Sequence, residues 1–269
     1  MVIYIKTIFF GLIQGATEFL PVSSSGHLLI LHELLPLPIN NELAFDVVLH
    51  LATLLALLIF FRQEIINLLL AWLGSFSGQK SNDGRLAWLI ILATIPALIV
   101  GYLFSDLIEN KLHSVAIVSA MLIFVGIIFI ICEKIFFKNT GNIYALNWQK
   151  SLGVGLAQIL AFIPGTSRSG ITIIAGLVSG LKRETAVKFS FLLSIPTIAA
   201  AGLSQINALF SDNLSNNEIM IYIFSFISAF FSAFLAIKYF LKFSQNHSLI
   251  PFAIYRFILA GVIIIYFFF

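Results

Sequence analysis

Gln14 and Glu18 stand four residues apart, so on a helix their side chains share one face, one turn from each other. They belong to the run Gln14-Gly15-Ala16-Thr17-Glu18-Phe19-Leu20-Pro21-Val22-Ser23-Ser24-Ser25-Gly26-His27. A carboxylate inside an apolar stretch is costly to bury, which makes Glu18 a candidate for function. His27 follows three serines whose hydroxyls and backbone amides, at the start of a new helix, suit an anion. A second run, Pro164-Gly165-Thr166-Ser167-Arg168-Ser169-Gly170-Ile171-Thr172, sets one arginine among hydroxyls. The guanidinium fork matches phosphate bidentately, and a helix start there adds the positive end of its macrodipole. Brought together, these groups would make a phosphoryl-transfer site. Arg168 would stabilise charge on the transferring group, Glu18 or His27 would handle protons, and a serine hydroxyl or a water would attack. Gln14, Ser23, Ser25, Ser167, Ser169 and Thr172 are the expected phosphate-binding groups. The plainer reading has Glu18 at the water interface or in a structural ion pair with Arg168, a pair that substrate phosphate could displace.

Elements that hold such groups must cross a bilayer. The 269 residues include only 15 Lys and Arg and 12 Asp and Glu against 60% apolar residues, with a mean hydropathy of +1.04. Soluble globules, disordered chains, collagens and coiled coils are excluded by that balance. The expectation is an all-α, polytopic integral membrane protein. Apolar stretches at 44 to 61, 86 to 104, 115 to 132, 186 to 206, 219 to 237 and 252 to 269 each approach the length of a span. The regions 2 to 37 and 151 to 180 are instead interrupted by Pro-Ser-Gly clusters. Pro21 and Pro164 lack an amide donor and push the preceding residue out of the helical region, so each region reads as a re-entrant helix-loop-helix hairpin. Irregular backbone at membrane depth is tolerated only against protein or a water-filled cavity, so each break should line an internal site.

Eleven basic residues fall in four segments: Arg62, Lys80 and Arg85; Lys134, Lys138 and Lys150; Lys182, Arg183 and Lys188; Lys238 and Lys242. Placing them in the cytoplasm makes the second hairpin dip in from the cytoplasmic side and the first from the opposite side, against which only Lys6 stands. The same placement accounts for the net charge of +3 without an acidic partner. At an offset of 144, Gly11, Leu12, Gln14, Ser25 and Gly26 fall on Gly155, Leu156, Gln158, Ser169 and Gly170, and Phe45, Leu49 and Thr53 on Phe189, Leu193 and Thr197. The chain therefore reads as one membrane domain over 1 to 269, with repeat halves of about 1 to 135 and 145 to 269 inverted against each other: six transmembrane helices plus two hairpins. The single Cys132 allows no intramolecular disulfide. No cleavable signal peptide is apparent, so the amino terminus is expected to stay.

The two motifs resemble the bacterial undecaprenyl-diphosphatase family, also called the bacitracin-resistance protein family, and the similarity in length and hydrophobic layout covers essentially the whole chain. The resemblance implies hydrolysis of undecaprenyl diphosphate to the monophosphate and phosphate, at a site open to the outer face of a bacterial plasma membrane, recycling the lipid carrier of cell-wall synthesis. It implies catalytic roles for Glu18, His27 and Arg168, with Ser24 as nucleophile. Many members carry a second glutamate where this chain has Gln14, which counts against any mechanism needing two carboxylates, including a two-carboxylate metal site. The metal ligands are left unassigned; a divalent cation, Mg2+ or Ca2+, is the cofactor the expectation allows. Expected partners are a polyprenyl diphosphate and membrane lipids, with no nucleic acid, and a homodimer is left open. The rival is a lipid-phosphate flippase or secondary transporter built on the same inverted repeat; an intramembrane serine protease suits the buried arginine poorly. Asp46 and His50 read as solvated interfacial residues, with lining of the entrance as the alternative. His32 and Glu33 read as caps of the first hairpin, and His113 and His247 as loop residues.

Overall fold

The computed structural model describes residues 2–104, 114–205 and 215–268. His113 therefore lies outside the described residues. Among them all regular structure is helical, apart from one isolated bridge between Gly141 and Leu181. Eleven α-helices follow in order. These are α1 (Val2–Phe19), α2 (Ser24–Leu34), α3 (Glu42–Phe60), α4 (Arg62–Phe76), α5 (Asn82–Leu103) and α6 (Val115–Phe136). Then come α7 (Trp148–Gln158), α8 (Arg168–Val178), α9 (Arg183–Ser204), α10 (Asn216–Asn246) and α11 (Ile250–Phe268).

Seven of these, α1, α3, α5, α6, α9, α10 and α11, are long and apolar enough to cross a membrane. Six were expected; the seventh is α1, which runs unbroken for 18 residues before Pro21. The helices beside it at the two breaks are short: α2, α7 and α8 have 11 residues each, about 16 Å of helix and half of what a bilayer core requires. The basic segment after α3 is also more ordered than a loop. It forms α4, no residue of which is buried, with Ile66, Leu69, Leu70, Leu73 and Phe76 exposed along it.

Small residues set the closest contacts, as they do where lipid removes most of the hydrophobic drive between helices. α1 lies along α10 and α7 along α5. A Cβ at Gly15 would stand 2.3 Å from the Ala229 carbonyl oxygen, and one at Gly155 would stand 2.4 Å from that of Ala93. Gly15→Ala should therefore separate α1 from α10 and lower stability by about 1–3 kcal/mol, read as a fall in the thermal midpoint in detergent. An unchanged midpoint would mean that α1 is not held by this contact. Inside, Phe19, Phe61, Phe129, Phe189, Phe191 and Phe240 form much of one buried cluster. Ile99, Phe124, Ile131, Ile258 and Val262 stay exposed at the outer surface, the distribution a lipid solvent favours.

Candidate active site

The chain turns sharply after each broken helix, and the two turns match. Ser23 has φ 73° and Ser167 has φ 71°, the only non-glycine residues with positive φ among those described. L-residues avoid this region, and holding one there costs about 1–3 kcal/mol. The conformation lets each serine cap the helix that follows. Ser23 Oγ accepts from Gly26 N at 3.3 Å, and Ser167 Oγ accepts from Gly170 N at 3.1 Å. Each also bonds the hydroxyl two residues on, Ser25 at 3.2 Å and Ser169 at 3.1 Å.

The two breaks also touch. Ser169 Oγ donates to Leu20 O at 3.0 Å, and Gly165 N donates to Ser25 Oγ at 3.4 Å. Arg256 of α11, fully buried, braces both. Its guanidinium donates to Pro21 O at 3.3 Å and Gly165 O at 2.8 Å, and to Met121 O and Leu122 O of α6 at 3.1 and 3.2 Å. Nothing in the sequence reading singled out Arg256. The available signal was a lone arginine inside an apolar span, the kind of residue that must find partners in the protein.

Glu18 ends up at the junction. Its Oε1 receives Arg168 Nη2 at 2.6 Å. Its Oε2 receives Ser24 Oγ at 2.8 Å and Gln14 Nε2 at 3.0 Å. Ser24 and Arg168 are the first residues of α2 and α8, each following a positive-φ serine, so the two turns aim a hydroxyl and a guanidinium at one carboxylate. Arg168 Nη1 and Gln14 Oε1 are buried without a hydrogen-bond partner. Buried polar groups are nearly always satisfied, so a donor fork beside an acceptor calls for an anionic ligand that also offers a proton.

The remaining expected groups lie around this centre. His27 does not contact Glu18 or Arg168. Its Nδ1 donates to Ser23 O at 2.7 Å, which leaves Nε2 to accept from Tyr255 OH at 2.7 Å. Ser23, Ser25, Ser167 and Ser169 use their hydroxyls on caps and on the contact between the breaks. Thr172 Oγ1 donates to Arg168 O at 2.8 Å and pairs with Ser190 at 2.6 Å. His50, read from sequence as solvated, stands against the centre with Nε2 3.8 Å from Glu18 Oε2. His32 bonds Asp46 Oδ1 at 3.0 Å, and His247 follows α10 with its ring stacked on Phe243.

The donor set does not form a closed cation site. No three His, Cys, Asp or Glu side chains converge among the described residues. The one carboxylate at the centre already holds a guanidinium, and among the described residues Gln14 Oε1 is the buried oxygen beside it that lacks a partner, short of the six or more that Mg2+ or Ca2+ takes.

Known proteins are similar to this chain along nearly its whole length. The chain is 43% identical over 263 residues to an undecaprenyl-diphosphatase of Alteromonas mediterranea, covering 96% of this chain and 97% of that one. It is 42% identical over 264 residues to undecaprenyl-diphosphatase 1 of Pseudoalteromonas translucida, covering 97% and 98%. To an undecaprenyl-diphosphatase of Rubrobacter xylanophilus it is 39% identical over 263 residues, covering 96% of each. A family model described as bacitracin resistance protein BacA matches residues 7–262, nearly the whole length, and the chain belongs to that family.

Proposed function

We propose that this chain is an undecaprenyl-diphosphate phosphatase, releasing phosphate from the lipid diphosphate and returning the lipid monophosphate. The observation that carries it is Glu18, shared between the Ser24 hydroxyl and the Arg168 guanidinium, with Arg168 Nη1 buried and unpartnered beside it. Full-length relatives named for this activity support it.

The chemistry follows from these groups. Arg168 takes the non-bridging oxygens of the terminal phosphate, first through Nη1 and then with the whole fork as it leaves Glu18. Ser24 Oγ attacks the terminal phosphorus while its proton passes to Glu18 Oε2. The bond from that phosphorus to the bridging oxygen breaks, and the oxygen departs with the lipid phosphate. Water then attacks the phosphoserine; one of its protons stays on the hydrogen phosphate that leaves and the other restores the Ser24 hydroxyl, so the proton taken in the first step remains on Glu18. His27 positions the α2 turn through Ser23 and Tyr255. The hydroxyls of Ser23, Ser25, Ser167, Ser169 and Thr172 hold the backbone amides that face the phosphate, and Gln14 orients Glu18.

We place the site in an inverted repeat of halves near 1 to 135 and 145 to 269, with six spans and two re-entrant hairpins. The matching turns at Ser23 and Ser167 and the matching helix pairs α1 with α10 and α7 with α5 support that arrangement. α1 then tilts within the first hairpin and stops at Pro21. On this reading the site opens to the outer face of the plasma membrane, with the lipid approaching sideways; the family resemblance implies that face, and the loop charges support the opposed entry of the two hairpins.

The test is phosphate release from undecaprenyl diphosphate by the purified chain in detergent, where no two sides exist. Steady release is expected, and Ser24→Ala should lower kcat by about 100-fold or more. Binding without release would favour the flippase. A Ser24→Ala variant within threefold of the parent would assign the attack to water.

A further inference from the structure

Hydrolysis of a fully ionised lipid diphosphate yields lipid monophosphate, hydrogen phosphate and one proton. That proton must leave a buried site on every turnover. Glu18, which receives it in the mechanism above, has a side chain 6% exposed. Its side-chain contacts among the described residues are Arg168, Gln14, Ser24 and His50. Arginine has no lone pair to take a proton, the glutamine amide does not titrate, and the serine is the nucleophile. Among these four His50 alone has a ring nitrogen whose lone pair can take a proton.

Geometry prepares it for that task. His50 Nδ1 lies 2.9 Å from Asp46 O, a carbonyl that only accepts, so Nδ1 carries the hydrogen and Nε2 has the free lone pair. Gln14 Nε2, 3.4 Å from Nδ1, is then donor against donor, and its hydrogen bond goes to Glu18. Nε2 faces Glu18 Oε2 at 3.8 Å, one small shift or one water from proton transfer. The His50 side chain is 36% exposed, so it meets both the buried acid and water.

Further along α3 the polar line continues at four-residue spacing. Asp46 bonds His32 Nε2 at 3.0 Å, and Glu42 lies 3.7 Å from His32 Nδ1. From Glu42 to His50 the line covers about 12 Å of one helix face. Several charges on and beside the elements packed against α3 have partners elsewhere. Arg183 and Lys188 of α9 pair with Glu133 and Glu64, Glu184 pairs with Lys182, and Glu218 of α10 is bonded by Ser215 and Asn40.

We propose that His50 is the proton relay of this site. It takes the proton from Glu18 at Nε2, becomes an imidazolium, and releases it to water beside Asp46 and His32. The inference rests on the phosphatase reading and names its second titratable group in a chain that has glutamine at position 14. His50 is a positioning residue in the sense that it acts through Glu18.

The experiment uses the full chain in detergent with undecaprenyl diphosphate, comparing the parent with His50→Gln and His50→Ala. Both variants should keep the parent's first-turnover rate and kcat/KM, so that KM falls together with kcat. Their steady-state kcat should fall roughly 10- to 100-fold, and the kcat against pH profile should lose a limb that the parent shows. Added imidazole should restore turnover to His50→Ala, whose truncated side chain leaves room, and not to His50→Gln. Parent-like kcat and pH profile in His50→Gln would overturn the relay while leaving the phosphatase standing. So would a loss already present in the first turnover that imidazole does not repair, which would make His50 structural. No phosphate release by the parent itself would instead remove the activity on which the relay depends.

Discussion

Arg168→Ala should lower phosphate release by about 1000-fold or more, the scale on which an arginine stabilises a transferring phosphoryl group. Arg168 reaches Glu18 at 2.6 Å, and half of its fork is buried with no hydrogen-bond partner among the described residues. Lysine would not substitute, because an ammonium is a point charge and cannot bridge two oxygens while facing the carboxylate. Removing the arginine also leaves Glu18 buried without its counter-ion, a loss of about 3–5 kcal/mol. The double variant Glu18→Gln with Arg168→Ala separates lost chemistry from unfolding. It lacks the unpaired charge, so its thermal midpoint should return toward that of the parent while turnover stays absent. A double variant that regained activity would remove both residues from the chemistry.

Arg256→Met should be the most destabilising single substitution at the junction, although Arg256 touches no reacting atom. Its guanidinium satisfies carbonyls of both breaks and of α6 from a fully buried position. Pro21 O and Gly165 O belong to backbone that no helix ladder serves, and a buried carbonyl left without a donor costs about 1–3 kcal/mol. With two such groups released, a loss of roughly 2–6 kcal/mol is expected, together with loss of turnover as the Ser24 and Arg168 turns drift apart. Arg256→Lys, which reaches fewer of these acceptors, should fall between. Thermal unfolding and phosphate release measured on the same preparations decide it. A methionine variant with the parent's midpoint and rate would show that the breaks hold without the brace.

Much of the chemistry was legible because few residues had any other reason to be where they are. Glu18 and Arg168 lie in otherwise apolar segments, and their cost of burial marked them before any contact was known. Pro21 and Pro164 marked the breaks correctly. Pro96 and Pro196, in contrast, sit inside α5 and α9. A proline's missing amide is tolerated where neighbouring helices satisfy the freed carbonyl, and at 21 and 164 the Ser-Gly runs that follow favour a cap and a fresh start instead.

What sequence reasoning could not place were the contacts that depend on a neighbour far along the chain. His27 looked like a partner of Glu18 from nine residues away, yet Tyr255 holds its free nitrogen. The serines looked like phosphate ligands, yet most of their hydroxyls cap helices and join the two breaks. His50 looked interfacial, yet it faces Glu18 across the contact between α1 and α3.

By itself the sequence determined a membrane-embedded helical chain, two interrupted segments, and the acid and arginine that make a phosphate site thinkable. Local physics suffices for these, since transfer free energy and proline geometry act residue by residue. Only the tertiary structure decided that Arg168 meets Glu18 from 150 residues away, that Arg256 braces both breaks, and that His50 stands at the acid's exposed side. Those pairings follow from how helices with little hydrophobic preference among themselves seat small residues against backbone. No local pattern encodes which two charges that packing will bring to one point.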